Sequence, residues 1–251
     1  MENLQEYLPQ SVKGKSVLVT GGTTGIGRAT AILLAAQGAN VLFFGTNEQH
    51  LKDALQDIKR AATADVHGFI ADIGTEEGIK KAFGEVDSRF DKLDILVNNA
   101  ALPYGSVIEG EYADWKRIVD VNLLAYMACA NEAWKRMKEK GEGHIVNIGS
   151  MSADVREEKS SVYVATKSGI QGFCESLRNQ INPDGIKVSL IEPGAVDTDM
   201  QAESTEKKKE NVRNLEMMTA DDIAVAVLYV ISQPKRCDVV ELKVRPHLQL
   251  I

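Results

Sequence analysis

The sequence predicts an α/β fold, a three-layer sandwich in which helices cover both faces of one seven-stranded parallel sheet. Three observations carry that expectation. Seven short runs rich in β-branched and apolar residues, at 16–20, 40–44, 66–71, 94–97, 144–149, 187–191 and 238–242, alternate with longer stretches of helical pattern. The segment Thr20-Gly21-Gly22-Thr23-Thr24-Gly25-Ile26-Gly27 follows the first run directly and opens a helix. At 251 residues, 44% hydrophobic and 26% charged, the chain suits one domain with a large core. Parallel strands need right-handed crossovers, which leaves a ligand crevice at the carboxyl ends of the strands.

Residues 1–13 read as a polar arm and residues 14–251 as a single domain. The first strand, 16–20, runs into the glycine turn and a helix over 26–37. Glycine suits a turn that visits positive φ and brings backbone amides close to a pyrophosphate, whose charge the helix N-terminus favours. The second strand, 40–44, leads to Gly45-Thr46-Asn47, where Thr46-x-x-Gln49 has the form of a capping box. Asp72 follows the third strand, and Asn98-Asn99-Ala100 follows the fourth. A long helix over 113–139 carries Asn122 among apolar neighbours, so its amide needs partners. Ser150 comes just after the fifth strand, a helix over 161–181 carries Tyr163 and Lys167, and Pro193-Gly194 follows the sixth strand. Residues 197–218 hold few apolar side chains and read as a mobile lid or a solvated short helix, with the run Lys207-Lys208-Lys209 on its solvated face.

The 29 basic and 36 acidic residues give a net charge of −7, so nothing in bulk electrostatics points to nucleic acid or an anionic membrane. The start lacks a basic segment followed by an apolar one, and no stretch is long and apolar enough to span a bilayer. Cys129, Cys174 and Cys237 lack paired spacing and read as reduced, small core residues of a cytoplasmic protein. His50, His67, His144 and His247 show no ligand spacing and read as surface or strand-edge residues, so no metal is expected.

On a helix, Tyr163 and Lys167 share a face. A free phenol titrates near 10, and an ammonium one turn away would favour its phenolate. Ser150 adds a second hydroxyl directed at one substrate oxygen, an arrangement suited to reducing a carbonyl or oxidising an alcohol. The spacing alone also occurs on exposed amphipathic helices, and Ser152 competes for the serine's place.

Taken together, Thr20-Gly-x-x-x-Gly-x-Gly27, Asp72, Asn98-Asn99-Ala100, Asn122, Ser150, Tyr163-x-x-x-Lys167 and Pro193-Gly194 stand in the order found in the short-chain dehydrogenase/reductase family, which the chain resembles over nearly its whole length. The resemblance implies a Rossmann-type fold and a role for each motif. Gly21, Gly25, Ile26 and Gly27, in one turn with Thr23 and Thr24, would line the pyrophosphate. The Asp72 side chain and Ile73 backbone would meet the adenine, and the turn from Asn98 to Ala100 would support the adenosine ribose and the sheet. After Pro193 and Gly194, Val196 and Thr198 would hold the nicotinamide carboxamide. Asn122, Ser150, Tyr163 and Lys167 would form the catalytic tetrad, with Tyr163 as acid in reduction and base in oxidation, Lys167 also on the nicotinamide ribose, and Asn122 positioning a water. Ala101 departs from the glycine common there.

An NAD enzyme usually has a carboxylate at the end of the second strand. Residues 44–47 supply none, and Thr46 or Asn47 could donate to a 2′-phosphate, so NADP(H) is favoured over NAD(H), although no arginine is present there. Substrate choice would lie in 102–107, 151–162 and 197–218. Within it, Arg156-Glu157-Glu158-Lys159 either faces solvent or meets a polar substrate. The carboxyl terminus is more similar to members acting on 3-hydroxy acids. The expected activity is interconversion of a small secondary alcohol and its ketone in a homotetramer or homodimer, with Ala128, Cys129, Trp134, Met137, Phe173 and Leu177 as surplus apolar surface for pairing. A catalytically silent dinucleotide sensor is the alternative.

Overall fold

The computed structural model describes residues 9–201 and 203–249. Strands β1 (Ser16–Thr20), β2 (Asn40–Gly45), β3 (Val66–Ile70), β4 (Ile95–Asn98), β5 (Gly143–Ile148), β6 (Ile186–Pro193) and β7 (Glu241–Val244) form one parallel sheet. Their spatial order is β3-β2-β1-β4-β5-β6-β7. The chain builds outward from β1 to β3, then returns to place β4 on the other side of β1, which is the switch point where such sheets bind ligands.

Alternation along the strands divides the core. Leu18, Leu42, Phe44, Leu96 and Ile145 face one side and pack on α3 (Glu76–Arg89), α5 (Ala125–Met137) and α7 (Ser161–Ile181). Val17, Val19, Val41, Phe43, Ile95 and Val97 face the other and pack on α1 (Gly25–Ala36), α2 (Glu48–Ala61) and α9 (Ala220–Ile231). Burial on both faces explains why the central strands read as continuous apolar runs. The three-layer expectation holds, and no helix among the described residues is long and apolar enough to cross a membrane.

Several details differ from the sequence expectation. Residues 1–8 of the proposed arm lie outside the described residues. The rest of the arm is tied down: Val12 is buried and the Gln10 amide donates to Ser232 O at 2.6 Å. The last strand begins at Glu241 rather than 238: the Val239 carbonyl accepts from Ser189 Oγ (2.6 Å), and the Val240 carbonyl is shared by Leu190 N (3.1 Å) and Arg178 Nη2 (2.8 Å). The α2 cap is Asn47, not Thr46: Asn47 Oδ1 accepts from the amides of Gln49 and His50 at 2.9 Å.

The helix expected over 113–139 is divided into α4 (Tyr112–Val119), a π turn at Asp120–Leu124, and α5, with a 3-10 turn at Lys138–Lys140. The π turn falls where the Asn122 amide clamps the loop after β4, Oδ1 accepting from Leu102 N at 2.8 Å and Nδ2 donating to Leu102 O at 2.9 Å. Such bulges free backbone carbonyls and recur at functional sites.

The proposed surplus apolar surface is largely internal. Cys129 and Met137 are buried, Phe173 and Leu177 pack on the core, and Trp134 Nε1 donates to Asp184 at 2.7 Å. The exposed apolar side chains on this path are Val119, Leu124 and Met127. Cys237 is exposed rather than core. His144, expected at the surface or a strand edge, stands near the start of β5, buried against Ser189 Oγ at 2.8 Å, and burial pushes its imidazole down to about 3.

Candidate active site

The β1–α1 turn supplies a cradle shaped by close approach. A Cβ on Gly27 would stand 2.3 Å from Gly21 O, and one on Gly21, where φ is +65°, would stand 2.9 Å from Ala100 Cα. The neighbouring chain is locked at the same point. Asn99 Nδ2 donates to the carbonyls of Thr20 (3.0 Å) and Gly21 (3.2 Å), while the amides of Asn99 and Ala100 donate to Thr20 Oγ1 at 2.9 and 3.0 Å. The start of α1 makes no side-chain cap bond and has no acid in its first turn. Its amides and the positive end of its dipole therefore remain available to an anion.

This turn opens on a cleft of about 250 Å³ lined by Gly21, Thr23, Thr24, Gly25, Ile26, Thr46, Asp72, Ile73, Ala100 and Thr198. Two lining residues had no signal in the sequence. Arg117 Nη2 donates to Asp72 Oδ1 at 2.8 Å, across 45 residues of chain. His50 lies beside Thr46 and Asn47 in the first turn of α2. Gly27 and Asn98 do not line this cleft. Gly27 gives close packing, and buried Asn98 donates to Asn147 Oδ1 on β5 (2.9 Å) and to Tyr126 O on α5 (3.2 Å). An anionic, two-ended nucleotide fits the cradle: a glycine floor, an open helix N-terminus, and Asp72 and Ile73 at the far end.

A second cleft of about 420 Å³ shares Ile26, Asn99, Ala101, Thr198 and Met200 with the first. It is lined by Ser150, Tyr163, Lys167, Pro193, Gly194 and Val196. The structure therefore brings Ser150, Tyr163 and Lys167 together from β5 and α7, next to the glycine turn. Asn122 stands apart, its side chain committed to Leu102.

Ser150 rather than Ser152 meets the phenol. A hydrogen bond from Ser150 favours the Tyr163 phenolate, whereas Ser152 Oγ donates to Glu157 Oε1 at 3.0 Å. The net shift of Tyr163 is opposite to the one expected from Lys167. Burial dominates and pushes the phenol up to about 12, with the Ser150 bond opposing and the Glu157 carboxylate adding to the rise. Lys167 Nζ is 5.6 Å from the Tyr163 ring centroid and donates instead to Ile148 O at 2.9 Å. Burial lowers Lys167 to about 8, opposed first by Glu192. Loss of hydration outweighs the charge one turn away.

Glu192, at the end of β6, is fully buried, and its Oε2 has no hydrogen-bond partner. Gln171, one turn beyond Lys167 on α7, donates to Glu192 Oε1 at 2.9 Å and to Asp154 at 3.1 Å. Lys243 is 3.7 Å from Oε2 and is held more closely by Asp154 (2.6 Å). Burial pushes Glu192 up to about 7.

Residues 197–218 contain α8 (Thr205–Arg213), capped by Ser204 Oγ. The middle of its lysine run is not solvated. Lys208 is buried, donating to Thr198 O at 3.0 Å and pairing with Asp197 at 3.3 Å. This lysine ties the helix to the segment that lines both clefts.

Strand order, glycine cradle and a serine, tyrosine and lysine on one cleft define a dinucleotide-type oxidoreductase fold and site. The profile of the short chain dehydrogenase family matches residues 15–209, and the chain belongs to that family. An uncharacterised oxidoreductase of Staphylococcus saprophyticus is 31% identical over 236 residues, covering 94% of this chain and 98% of the relative. The 3-oxoacyl-(acyl-carrier-protein) reductase FabG of Aquifex aeolicus is 33% identical, covering 88% of this chain and 92% of its own. Among solved structures, a dehydrogenase/reductase from Sinorhizobium meliloti superposes with a TM-score of 0.83 at 28% identity, covering 98% of each chain.

Proposed function

We propose that the protein interconverts a secondary alcohol and a ketone, using a nicotinamide dinucleotide, with Tyr163 as the proton donor and acceptor. The observation that carries this reading is the placement of Ser150, Tyr163 and Lys167 on a cleft that shares its wall with the glycine turn. The dinucleotide, when bound, supplies or accepts the hydride.

The chain's own residues supply the rest. Ser150 orients the substrate oxygen by a hydrogen bond. Tyr163 Oη delivers its proton to that oxygen as negative charge develops there. A phenol pushed up to about 12 is protonated at neutral pH and so has a proton to give to a carbonyl oxygen. Lys167 provides buried positive charge one turn below, and Asn122 holds the loop after β4 by its paired bonds to Leu102. Gly21, Thr23, Thr24, Gly25 and Ile26 would hold the pyrophosphate, Asp72 and Ile73 the adenine, and Val196 and Thr198 the carboxamide. NADP(H) is preferred over NAD(H): no acid lies at residues 45–47, and Thr46, Asn47 and His50, which line the smaller cleft, would meet a 2′-phosphate.

Residues 197–218 act as the lid. A homodimer or homotetramer is supported by exposed Val119, Leu124 and Met127, and a cytoplasmic setting by the free thiols.

The test is Tyr163→Phe, followed by absorbance of the reduced nicotinamide over an alcohol and carbonyl panel. Cofactor affinity should persist while turnover falls roughly 100-fold to 10,000-fold. Near wild-type turnover in the variant refutes the role of Tyr163, and a wild type that binds dinucleotide yet turns over no panel member supports a sensor instead.

A further inference from the structure

Beyond Tyr163 the larger cleft has an uneven charge distribution. Among its described lining residues Lys167 is the sole cation and Glu157 the sole carboxylate. Lys167 is 2% exposed beneath Tyr163, and its ammonium donates to Ile148 O. A substrate carboxylate or phosphate entering the cleft would lose water without meeting an exposed counter-charge, and would face Glu157.

Glu157 is held over the cleft by the backbone. The one-turn helix α6 (Ser152–Val155) ends at Arg156, which has φ +58°, a left-handed conformation uncommon for arginine. That reversal sends Glu157 back to accept from Ser152 Oγ at 3.0 Å. Glu157 and Tyr163 line the same cleft, and the carboxylate adds to the rise of the phenol. Arg156 is itself exposed and does not line the cleft. A carboxylate offers about four acceptor directions, and Ser152 takes one. Ser160 and Gln201, neutral side chains that donate and accept, line the same cleft.

We propose that the cleft takes a neutral polyhydroxylated ketone or its polyol, and that Glu157 selects it by accepting from a substrate hydroxyl while turning away carboxylates. The proposal rests on the alcohol–ketone reading above. A carboxylate alone would also suit an amine. Ser152, Ser160 and Gln201 favour the polyol, because each hydroxyl of such a substrate needs both a donor and an acceptor.

The experiment compares the wild type with Glu157→Gln and Glu157→Ala in reducing D-fructose, acetoacetate and aminoacetone, each with NADPH. The wild type should prefer D-fructose. Loss of a hydrogen bond to a charged acceptor should lower kcat/KM for D-fructose roughly 10-fold to 100-fold in both variants, while that for acetoacetate rises. Glu157 lies in an exposed loop, and an unchanged melting temperature confirms that the variants fold. Calorimetry of sorbitol against 3-hydroxybutyrate, with NADP⁺ bound to Tyr163→Phe protein, reads the selection without turnover. Tighter binding of sorbitol that depends on Glu157, with a wild type that reduces none of the three ketones, keeps this proposal and sinks the alcohol–ketone reading. Preference for acetoacetate or aminoacetone, a substrate ratio unmoved by either variant, or sorbitol binding no tighter than 3-hydroxybutyrate overturns it.

Discussion

Replacing Glu192 by glutamine should change how stability depends on pH. The carboxyl is fully buried, Oε2 lacks a partner, and the Lys243 ammonium 3.7 Å away does not offset the lost hydration. Its proton is therefore held up to about pH 7 in the folded chain, against an ordinary value of 4.5. Between those two values the folded state binds more protons than the unfolded state, so stability falls as pH rises through the window. Each tenfold change in an acid equilibrium is worth about 1.4 kcal/mol, which makes the loss about 3 kcal/mol once the pH exceeds 7. Glu192→Gln keeps the shape and an acceptor for Gln171 but cannot ionise. Urea unfolding at pH 5 should show the two proteins nearly alike, and at pH 8 the variant should be more stable by about 3 kcal/mol. Parallel stability curves from pH 5 to pH 8 would refute the reasoning. A second readout follows from Lys167, whose charge Glu192 supports: in the variant, the ionisation of Lys167 should move below its present value of about 8.

Gly27→Ala should abolish measurable dinucleotide binding and lower stability by about 1–3 kcal/mol, because its Cβ would meet backbone, Gly21 O at 2.3 Å. Gly84→Ala on α3, where a Cβ meets nothing within 4 Å, is the control and should stabilise by about 1 kcal/mol; thermal melts and fluorescence titration with NADPH separate the two. His50→Ala should weaken NADPH binding roughly fivefold to tenfold relative to NADH, and equal loss for both cofactors would remove His50 from the 2′-phosphate site.

The fold was legible because its signals are local. A strand buried on both faces must be apolar throughout, and a turn that packs Gly27 against Gly21 O cannot carry a side chain, so β1 and the cradle appear as residue types at fixed positions. The same holds for Ser150, Tyr163 and Lys167, whose order and spacing can be read along the chain. The clamp of Asn122 on Leu102 was not legible, since the loop it holds lies 20 residues away along the chain. Nor were Arg117 on Asp72 and Lys208 on Thr198, pairs that long charged side chains form only after their elements dock.

The sequence by itself determined the layers, the glycine turn and the identity of the polar groups at the sheet's carboxyl edge, since periodicity and backbone sterics act within a few residues. Tertiary structure alone decided what those groups experience. Tyr163 rises because the cleft removes its water, Glu192 holds its proton because β6 and α7 close over it, and Glu157 reaches the cleft because Arg156 reverses the chain. Hydration and charge at a point depend on every element packed around it, and no spacing along one chain records that sum.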